Sequence, residues 1–394
     1  MIQTENAFIG ILGDGQLARM LCQEAHKLNI STAVLTTSKD SPASLVNSNI
    51  FLASEINLES VIQFSKFCLN QNPKAILTIE SEFIDPEYLI QAEDKTNIKV
   101  FPSVDNLKTI RDRKPQKQFL MDHNLPTSPL VEFKNIQGLN QILNVSNTNL
   151  KPETNLKSSN QKLVLKKRLF GYDGYGTIIL NNVHDLPKLP KDFNANDWIC
   201  EHFIEFKREL AISFARNQQG QTCIFPWVET FQENSKCLWV KGPLNTTNSM
   251  KTLQKKISDA LDKINYQGFV TFEIFETKKE DLLINEVAPR VHNSAHYSLE
   301  ALYLNQFKAH LIAGLNLELP QKPKVISPFA MYNLIASKEI NNPKIPQDSS
   351  EYFLNWYQKS QSRPGRKMGH ITCLALTFDD ALVSLKNKVR DFDL

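Results

Sequence analysis

Cysteine is scarce in this chain, and the patterns by which cysteines hold metals or disulfide frameworks are missing. The six cysteines are scattered over 394 residues, and no two of them form a C-x-x-C pair. Structural zinc sites and disulfide-stapled domains need closely spaced or paired cysteines. The sequence argues against both, and it favours a reducing compartment, the cytoplasm.

An excess of charge of one sign is also missing. Lys and Arg number 45 and Asp and Glu 42, which gives a net charge of +3 without any long block of a single sign. Proteins that bind nucleic acid or membrane surfaces usually concentrate charge, so neither partner is expected, whereas a small anionic substrate stays open. Charged residues interrupt every apolar run before membrane-spanning length, and the N-terminus lacks a signal-peptide pattern. We expect a soluble, cytoplasmic protein.

The chain is long enough for two or three domains, and its first hundred residues have a regular pattern. Apolar runs at residues 7–12, 32–36, 75–79 and 98–101 alternate with helix-like segments. Such alternation is typical of a small parallel sheet covered by helices. The sequence predicts an α/β domain at the N-terminus.

Strand patterns of another kind follow, in "KLVLKKR" and "TIILNNV". They predict a second domain of the α+β class. Residues 144–161 are polar and nearly devoid of apolar anchors, so we interpret them as a long exposed loop within that domain. From about residue 320 a proline-rich stretch begins a smaller third unit, and the chain has no internal repeat.

A glycine turn, "GDGQLA" at residues 13–18, joins the first predicted strand to the first helix. It fits the G-x-G-x-x-G/A pattern, in which backbone N–H groups and a helix N-terminus approach a phosphate. Dinucleotide sites also use an acidic residue at the end of the second strand, where this chain has Thr36 and Thr37. That argues against nicotinamide or flavin and leaves two alternatives, a phosphate site for a smaller ligand and a turn that only packs helix on strand.

A second glycine loop follows Lys166, which ends an apolar strand. The loop spans Gly171 to Thr177 and lacks the residue order of a P-loop. Its glycines suit a flap whose backbone donors close over phosphates while the lysine supplies positive charge. A plain hairpin with a basic face is the alternative.

Two acidic strand segments, "FVTFEIFET" with Glu273 and "DLLINEVAPR" with Glu286, flank a predicted turn at "TKKED". In an antiparallel hairpin these carboxylates can face one another, with Asn285 as a neutral oxygen ligand nearby. Magnesium takes one or two carboxylates together with substrate phosphate oxygens and water. The alternative is a solvated acidic face, which does not account for the apolar neighbours of Glu286.

The hairpin is followed at once by "PRVHNSAHYS", which concentrates cations and amide donors. Arg290, His292 and Asn293 suit a wall that holds an anion. For His296 a structural role in the core stays equally open.

Four strings in this order, "GDGQLARM", "KKRLFGYDGYG", "NEVAPRVHNSAHYS" and "RPGRKMGH", resemble the 5-(carboxyamino)imidazole ribonucleotide synthetase family, ATP-grasp enzymes of purine biosynthesis. The resemblance runs from about residue 8 to at least residue 372. It implies three parts: a Rossmann-like preATP-grasp domain, an ATP-grasp domain with a mobile lid, and a small C-terminal domain. The implied ranges are 1–103 for the first, 104–305 for the second with its lid at about 131–206, and 306–394 for the third.

The same resemblance implies a reaction, its cofactors and an assembly. ATP, with Mg²⁺, phosphorylates bicarbonate to carboxyphosphate, and the exocyclic amine of 5-aminoimidazole ribonucleotide is then carboxylated, giving ADP and phosphate. The implied assembly is a homodimer. Another ATP-grasp ligase or a formate-dependent transferase acting on a different ribonucleotide is the main alternative, with a nucleotide-binding protein without turnover and a dehydrogenase as more distant ones.

Matching positions carry the family's residue roles over to this chain. The implied ATP-binding residues are Arg113, Lys166, Gly171, Tyr172, Asp173, Gly174, Tyr175, Gly176, Thr177, Glu201, His202, Phe203, Ile204, Glu209, Gln232, Asn285 and Glu286. The implied metal ligands are Glu273 and Glu286. The implied catalytic residues are Tyr172, Asp173, Arg290, His292 and Asn293. The implied ribonucleotide-binding residues are Gly13, Gly15, Gln16, Leu17, Lys359 and Arg366.

The chain departs from the family pattern at several positions. Phe170 and Ala18 stand where members usually carry glycine, and Gln232 stands where a histidine near ATP is usual. The polar stretch at 144–161 and one residue before Arg363 are insertions. We expect Phe170 to stiffen the flap and Gln232 to weaken a nucleotide contact.

Overall fold

The computed structural model describes residues 6–145, 162–171, 174–346 and 349–392. Its strands are β1 (Phe8–Leu12), β2 (Ser31–Thr36), β3 (Ile50–Leu52), β4 (Ile76–Ile79), β5 (Lys99–Phe101), β6 (Leu163–Lys167), β7 (Thr177–Leu180), β8 (Trp198–His202), β9 (Phe206–Arg216), β10 (Thr222–Ile224), β11 (Val228–Glu233), β12 (Lys236–Gly242), β13 (Gly268–Thr277), β14 (Leu282–Ala288), β15 (Phe329–Ile335), β16 (Ile340–Asn341), β17 (Phe353–Trp356), β18 (Gln361–Ser362) and β19 (Lys367–Leu374). Its helices are α1 (Gln16–Lys27), α2 (Leu58–Gln71), α3 (Pro86–Thr96), α4 (Val104–Arg111), α5 (Arg113–Asp122), α6 (Ile136–Val145), α7 (Asn248–Lys263), α8 (Ser298–Ala301), α9 (Gln306–Gly314) and α10 (Phe378–Lys388).

The N-terminal unit is a parallel sheet in the order β3-β2-β1-β4-β5. Its strands β1, β2 and β4 are buried apolar runs, because helices cover both faces of a sheet built this way. The predicted α/β domain is confirmed, and only the short strand β3 was not foreseen. The strand order reverses between β1 and β4, and in such sheets ligands bind at the carboxyl ends of the strands beside that reversal.

The largest sheet has the strand order β14-β13-β9-β11-β12-β15-β19-β17, with β10 paired to β9. Its first half carries the predicted acidic hairpin. Antiparallel pairing of β12 with β15 then continues the sheet into the C-terminal part of the chain. The predicted third unit is therefore joined to the second by main-chain hydrogen bonds as well as by packing.

A separate three-stranded sheet, β7-β6-β8, packs with α6 around a small core of its own. Leu139, Leu163, Leu165 and Leu180 are fully buried in it. Strands β6 and β7 confirm the alternating patterns seen in the sequence. Of the predicted loop at 144–161, residues 144 and 145 end α6, and the rest lies outside the described residues.

Helix α9 packs on both the N-terminal unit and the large sheet. Its His310 accepts a hydrogen bond at Nδ1 from the N–H of Phe269 at 3.0 Å, so the proton is on Nε2, 2.7 Å from the Thr78 hydroxyl oxygen. The Thr78 hydroxyl donates in turn to the carbonyl of Phe101. One buried imidazole thus ties β4, β5 and β13 together.

The six cysteines are all free and buried, which agrees with the absence of a disulfide pattern. Within the ranges that the structure describes, no helix is both long enough and apolar enough to cross a membrane.

Candidate active site

The predicted acidic hairpin is present, and its two carboxylates are paired across it. In the antiparallel register of β13 and β14, Glu273 lies opposite Glu286, beside an irregularity in the pairing. On the neighbouring strand β9, Glu273 pairs with Ala211, so Glu209 lies two residues away on the same face. Burial, followed by the negative charges of Glu286 and Glu209, raises the pKa of Glu273 to about 8. The negative charges of these three carboxylates are therefore not fully balanced by the cations around them.

These donors fit a magnesium ion that is shared with phosphates. Glu273 and Glu286 supply carboxylate oxygens, and Asn285 supplies an amide oxygen from the same strand. Nowhere in the described ranges do three or more His, Cys, Asp or Glu side chains cluster closely enough to hold a metal by themselves. Mg²⁺ does not require such a cage, because it usually keeps waters and takes further oxygens from substrate phosphates.

Arg113 connects this hairpin to the glycine flap. It opens α5, whose N-cap Asp112 accepts a hydrogen bond from the N–H of Lys114. A guanidinium nitrogen of Arg113 lies 3.0 Å from Glu286 Oε2, and another lies 3.5 Å from the carbonyl oxygen of Gly171. An arginine held in this way can bind an anion such as a phosphate between flap and hairpin.

A buried ionic group lies beside the hairpin. Lys166 Nζ is 2.9 Å from Glu201 Oε2 and 2.7 Å from Asn285 Oδ1. Lys117 Nζ is 2.8 Å from Glu201 Oε1 and 2.9 Å from the hydroxyl of Ser128. Burial alone would raise the pKa of Glu201, but Lys166 and Lys117 lower it to about 2, so the carboxylate is charged. Burial also lowers the pKa of Lys117 to about 8.

Two flap glycines have backbones that favour glycine. Gly174 and Gly176 have φ of +79° and +76°. A Cβ would lie 2.3 Å from Ser235 Cβ at the first and 2.7 Å from Lys167 Cβ at the second. The flap therefore passes close to β6 and to the turn before β12. The predicted residues Tyr172 and Asp173 lie outside the described residues, and Tyr175 is exposed.

Phe170, one of the departures from the family pattern, has φ of +61°. That backbone region favours glycine, and a bulky residue in it is uncommon. Its half-exposed ring packs against Phe83 of the N-terminal unit, with 5.5 Å between ring centroids. The flap is thereby in contact with the loop that follows β4.

The predicted anion-holding wall follows β14. Arg290 forms a two-pronged ion pair with Glu82, one arm of which measures 2.9 Å. His292 Nε2 lies 3.7 Å from Glu273 Oε1. Burial, followed by the positive charges of Arg290 and Lys367, lowers the pKa of His292 well below its usual value, so the ring is neutral. Asn293 begins the short 3-10 turn after it.

His296 lies in the interior behind this wall. It is 1% exposed, its ring stacks on His370, and its Nδ1 is 2.8 Å from Gln306 Nε2. These contacts favour the structural alternative for this residue.

The glycine turn after β1 already contains an anion from the chain itself. Glu80, at the end of β4, accepts hydrogen bonds from the N–H groups of Gly15 at 2.7 Å and Ala18 at 3.0 Å. A Cβ on Gly13 would lie 2.4 Å from Glu80 Cγ, which is why this position has no side chain. Of the donors at this end of α1, the N–H groups of Gln16 and Leu17 have no partner among the described residues.

The remaining predicted ATP residues lie at the end of β8 and on strands β9 and β11. His202 ends β8, and Phe203 and Ile204 follow it. Burial raises the pKa of Glu209 to about 7, although the N–H of Gln232 donates to its carboxylate. Gln232 therefore supports Glu209 from β11.

The predicted cations of the C-terminal part are held by its own backbone. Lys359 donates to the carbonyl of Lys367 at 2.7 Å, and Arg366 donates to the carbonyl of Gln361 at 2.8 Å. Burial, with the neighbouring charge of Arg363, lowers the pKa of Arg366.

Four charged residues that contribute to this site were not found from the sequence: Glu80, Glu82, Lys117 and Lys367. A signal existed for the first two, because Glu80 and Glu82 come directly after β4, and β4 is the neighbour of β1 at the point where the strand order reverses. Lys117 and Lys367 have no such signal, since their roles depend on contacts between distant segments.

The fold and this site define an ATP-grasp enzyme: a preATP-grasp sheet, a small lid sheet with a glycine flap, and carboxylates on a hairpin of the large sheet. The chain matches the ATP-grasp domain over residues 119–307, the ribonucleotide synthetase preATP-grasp domain over 7–111, and the phosphoribosylaminoimidazole carboxylase C-terminal domain over 330–383. It is 31% identical to N5-carboxyaminoimidazole ribonucleotide synthase of Synechocystis sp. over 95% of this chain and 93% of that protein. The chain belongs to the N5-carboxyaminoimidazole ribonucleotide synthase family of ATP-grasp ligases, which confirms the resemblance seen in the sequence.

Solved structures agree over the whole length. Carboxyaminoimidazole ribonucleotide synthase from Aspergillus clavatus, complexed with ATP, is 28% identical and superimposes with a TM-score of 0.83 over 99% of both chains. The complex of the Aspergillus clavatus enzyme with ADP and 5-aminoimidazole ribonucleotide is 26% identical, with a TM-score of 0.81 over 99% of both chains.

Proposed function

We propose that this chain catalyses the ATP-dependent carboxylation of 5-aminoimidazole ribonucleotide with bicarbonate in purine biosynthesis. The products are N5-carboxyaminoimidazole ribonucleotide, ADP and phosphate. The observation that carries the proposal is the β13–β14 hairpin, where Glu273 and Glu286 face each other directly before Arg290, His292 and Asn293. The residues proposed for phosphoryl transfer and those proposed to hold its product thus lie next to each other on one continuous segment.

ATP lies between the lid and the large sheet in this proposal. Arg113 and Lys166 neutralise its phosphates, and the glycine flap from Gly171 to Thr177 covers them. The segment from Glu201 to Ile204 borders the adenine, and Glu209 holds the ribose hydroxyls with support from Gln232. The support is the arrangement of Lys166, Asn285 and Arg113 around the carboxylate hairpin.

Mg²⁺, held by Glu273, Glu286 and phosphate oxygens, would neutralise the charge that develops on the transferring phosphoryl group. Phosphoryl transfer depends on alignment and charge neutralisation more than on covalent help from the protein. The raised pKa of Glu273 supports a cation at this place, since a nearby positive charge relieves the repulsion between the carboxylates.

The first step joins a bicarbonate oxygen to the γ-phosphorus and breaks its bond to the ADP oxygen, giving carboxyphosphate. The exocyclic amine nitrogen of the ribonucleotide then bonds to the carboxyl carbon, and the bond from that carbon to the phosphate oxygen breaks, so that phosphate leaves. The carbon is transferred directly or as carbon dioxide. Arg290 and Asn293 hold the anionic intermediate, together with Tyr172 and Asp173. The departing phosphate takes the proton that the amine releases, and His292 stays a neutral hydrogen-bonding group beside Glu273.

The 5-phosphate of the ribonucleotide lies near the glycine turn in this proposal, with Lys359 and Arg366 as its cations. Glu80 takes up the N–H groups of Gly15 and Ala18 and places a carboxylate nearby. Only the N–H groups of Gln16 and Leu17 are then left in the turn to bind the 5-phosphate. In this proposal most of the binding energy for the phosphate comes from Lys359 and Arg366.

Cytoplasmic location and a homodimer are further parts of the proposal, based on the family. Cell fractionation and analytical ultracentrifugation test them.

The deciding experiment is phosphate release from magnesium-ATP with bicarbonate, measured with and without 5-aminoimidazole ribonucleotide. We expect strong stimulation by the ribonucleotide and a product whose carboxyl carbon comes from labelled bicarbonate. Stimulation by a different ribonucleotide instead, or incorporation of labelled formate, would replace the proposed acceptor or carbon source with that of another ATP-grasp ligase or a formate-dependent transferase.

A further inference from the structure

Asn293 in the wall is held by a second asparagine from a distant part of the chain. Asn293 Nδ2 donates to Asn333 Oδ1 at 2.9 Å, and Asn333 Nδ2 donates to Asn293 Oδ1 at 2.7 Å. The two amides form a closed, reciprocal pair. Each amide can be rotated by half a turn without changing its shape, so the pair alone does not determine which end of Asn293 is the nitrogen.

A third contact removes that ambiguity. Asn333 Nδ2 also donates to the backbone carbonyl of Cys237 at 2.9 Å. A carbonyl oxygen only accepts hydrogen bonds, so the end of Asn333 that faces Cys237 must be the nitrogen. The oxygen of Asn333 then faces Asn293, and the nitrogen of Asn293 must face that oxygen. The orientation of a residue in the wall follows from one carbonyl in β12.

Asn333 is well placed to transmit this constraint. It is 1% exposed and lies in the middle of β15, which is paired with β12 on one side and β19 on the other. Asn293 retains one N–H and one oxygen lone pair for a ligand, because each amide group offers two of each.

We propose that Asn333 is a positioning residue. It orients the amide of Asn293 toward carboxyphosphate and the ribonucleotide. The inference rests on the proposed function of the wall and adds to it a residue of the C-terminal part that acts on the chemistry without touching substrate. It also gives the pairing of β12 with β15 a functional consequence.

The test is a double-mutant cycle with Asn293→Ala and Asn333→Ala, assayed for N5-carboxyaminoimidazole ribonucleotide formation. We expect Asn333→Ala to lower kcat/KM for the ribonucleotide about tenfold, the size of one lost hydrogen bond to a reacting group, with KM for ATP within about twofold of wild type. In the Asn293→Ala background the same substitution should change kcat/KM by less than about twofold, because both residues act through one amide.

Asn333→Leu removes the same hydrogen bonds at similar volume, so it keeps the assay informative if the alanine variant folds poorly. Asn106→Ala is the matched control, since Asn106 is also a buried asparagine that donates to a backbone carbonyl, that of Ile264. It should leave kcat/KM unchanged. An equal loss from Asn333→Ala in both backgrounds, no loss at all, or failure of both Asn333 variants to fold would each overturn the positioning role. Wild-type enzyme without ribonucleotide-stimulated turnover would instead overturn the proposed function.

Discussion

At the scale of single residues, Glu286 makes two contacts that matter for the site. It faces Glu273 across the hairpin, and its carboxylate lies 3.0 Å from the guanidinium of Arg113. Glu286→Gln keeps the size of the side chain but removes the charge that pairs with Arg113 and that the proposed magnesium ion would bind. We expect ATP cleavage to fall by at least about a hundredfold at saturating magnesium-ATP, with the fold intact.

Phosphate release at saturating magnesium-ATP, with circular dichroism as the check on folding, measures this effect. Glu280→Gln, in the exposed turn of the same hairpin, is the control and should keep full activity. Retained turnover in Glu286→Gln would remove Glu286 from the metal site.

Lys117 is one of two buried cations that balance the carboxylate of Glu201. Its side chain and that of Glu201 are each 2% exposed, and Lys166 is the only other cation bonded to Glu201 among the described residues. Lys117→Met leaves a buried carboxylate with one cation instead of two. Removing one partner of a buried ion pair costs about 3–5 kcal/mol, so we expect a loss of about 3 kcal/mol in the free energy of unfolding.

Urea unfolding measures this loss. Lys255→Met is the comparison, because Lys255 is 76% exposed in its ion pair with Asp259 and such pairs contribute about 0.5 kcal/mol. Similar losses in the two variants would show that the buried carboxylate of Glu201 does not depend on Lys117 for its stability.

At the scale of elements, the glycine flap and the loop after β4 meet through Phe170 and Phe83. In the proposed reaction carboxyphosphate must be kept from water, so contacts that hold the flap closed would favour product over hydrolysis. Phe170→Gly removes the ring and suits the positive φ at this position. We expect more phosphate released per product formed, by about twofold or more, as an order-of-magnitude expectation for a loosened flap.

The measurement is the ratio of phosphate to N5-carboxyaminoimidazole ribonucleotide, with Phe170→Tyr as the control that keeps the ring. If Phe170→Gly leaves this ratio at the wild-type value, the contact with Phe83 does not help to exclude water.

At the scale of the whole molecule, the junction between the N-terminal unit and the large sheet depends on a neutral imidazole. Burial lowers the pKa of His310 to about 3, whereas a histidine in an unfolded chain titrates near 6.5. Between these values the unfolded state binds more protons than the native state, so stability falls as the pH is lowered through 6.5 toward 3. Each such histidine contributes about 1.4 kcal/mol per pH unit in that window.

His310→Gln should therefore be less stable than wild type at pH 7 and should lose less stability between pH 6.5 and pH 5, by about 2 kcal/mol. Urea unfolding at several pH values gives the two slopes, with the exposed His184→Gln as the control. Equal slopes for His310→Gln and wild type would mean that His310 does not titrate between the two states as its burial requires.

Much of the fold and of the site could be predicted from local sequence patterns. Strands β1, β2, β4, β5, β6 and β7 follow from apolar runs and alternation, and the opposition of Glu273 and Glu286 follows from two strands and one turn. Each of these predictions depends on residues that are near one another in sequence. The boundaries at 103 and 305 and the individual residue roles stay predictions.

Long-range contacts account for what was missed. Glu80 satisfies the turn at Gly15 from a strand 65 residues later, and Lys117 meets Glu201 across the lid junction. No spacing rule joins such positions, since their meeting depends on how sheets and helices pack.

By itself the sequence determined the family and with it the class of chemistry, because the short strings that contain Lys166, Glu286 and Arg290 can be matched without knowing which distant segments meet. Only the tertiary structure decided how those groups are held: Glu80 occupies the glycine turn, Glu82 pairs with Arg290, and Asn333 orients Asn293. The physical reason is that hydrogen bonds and ion pairs act over a few ångströms in space, whatever the separation along the chain.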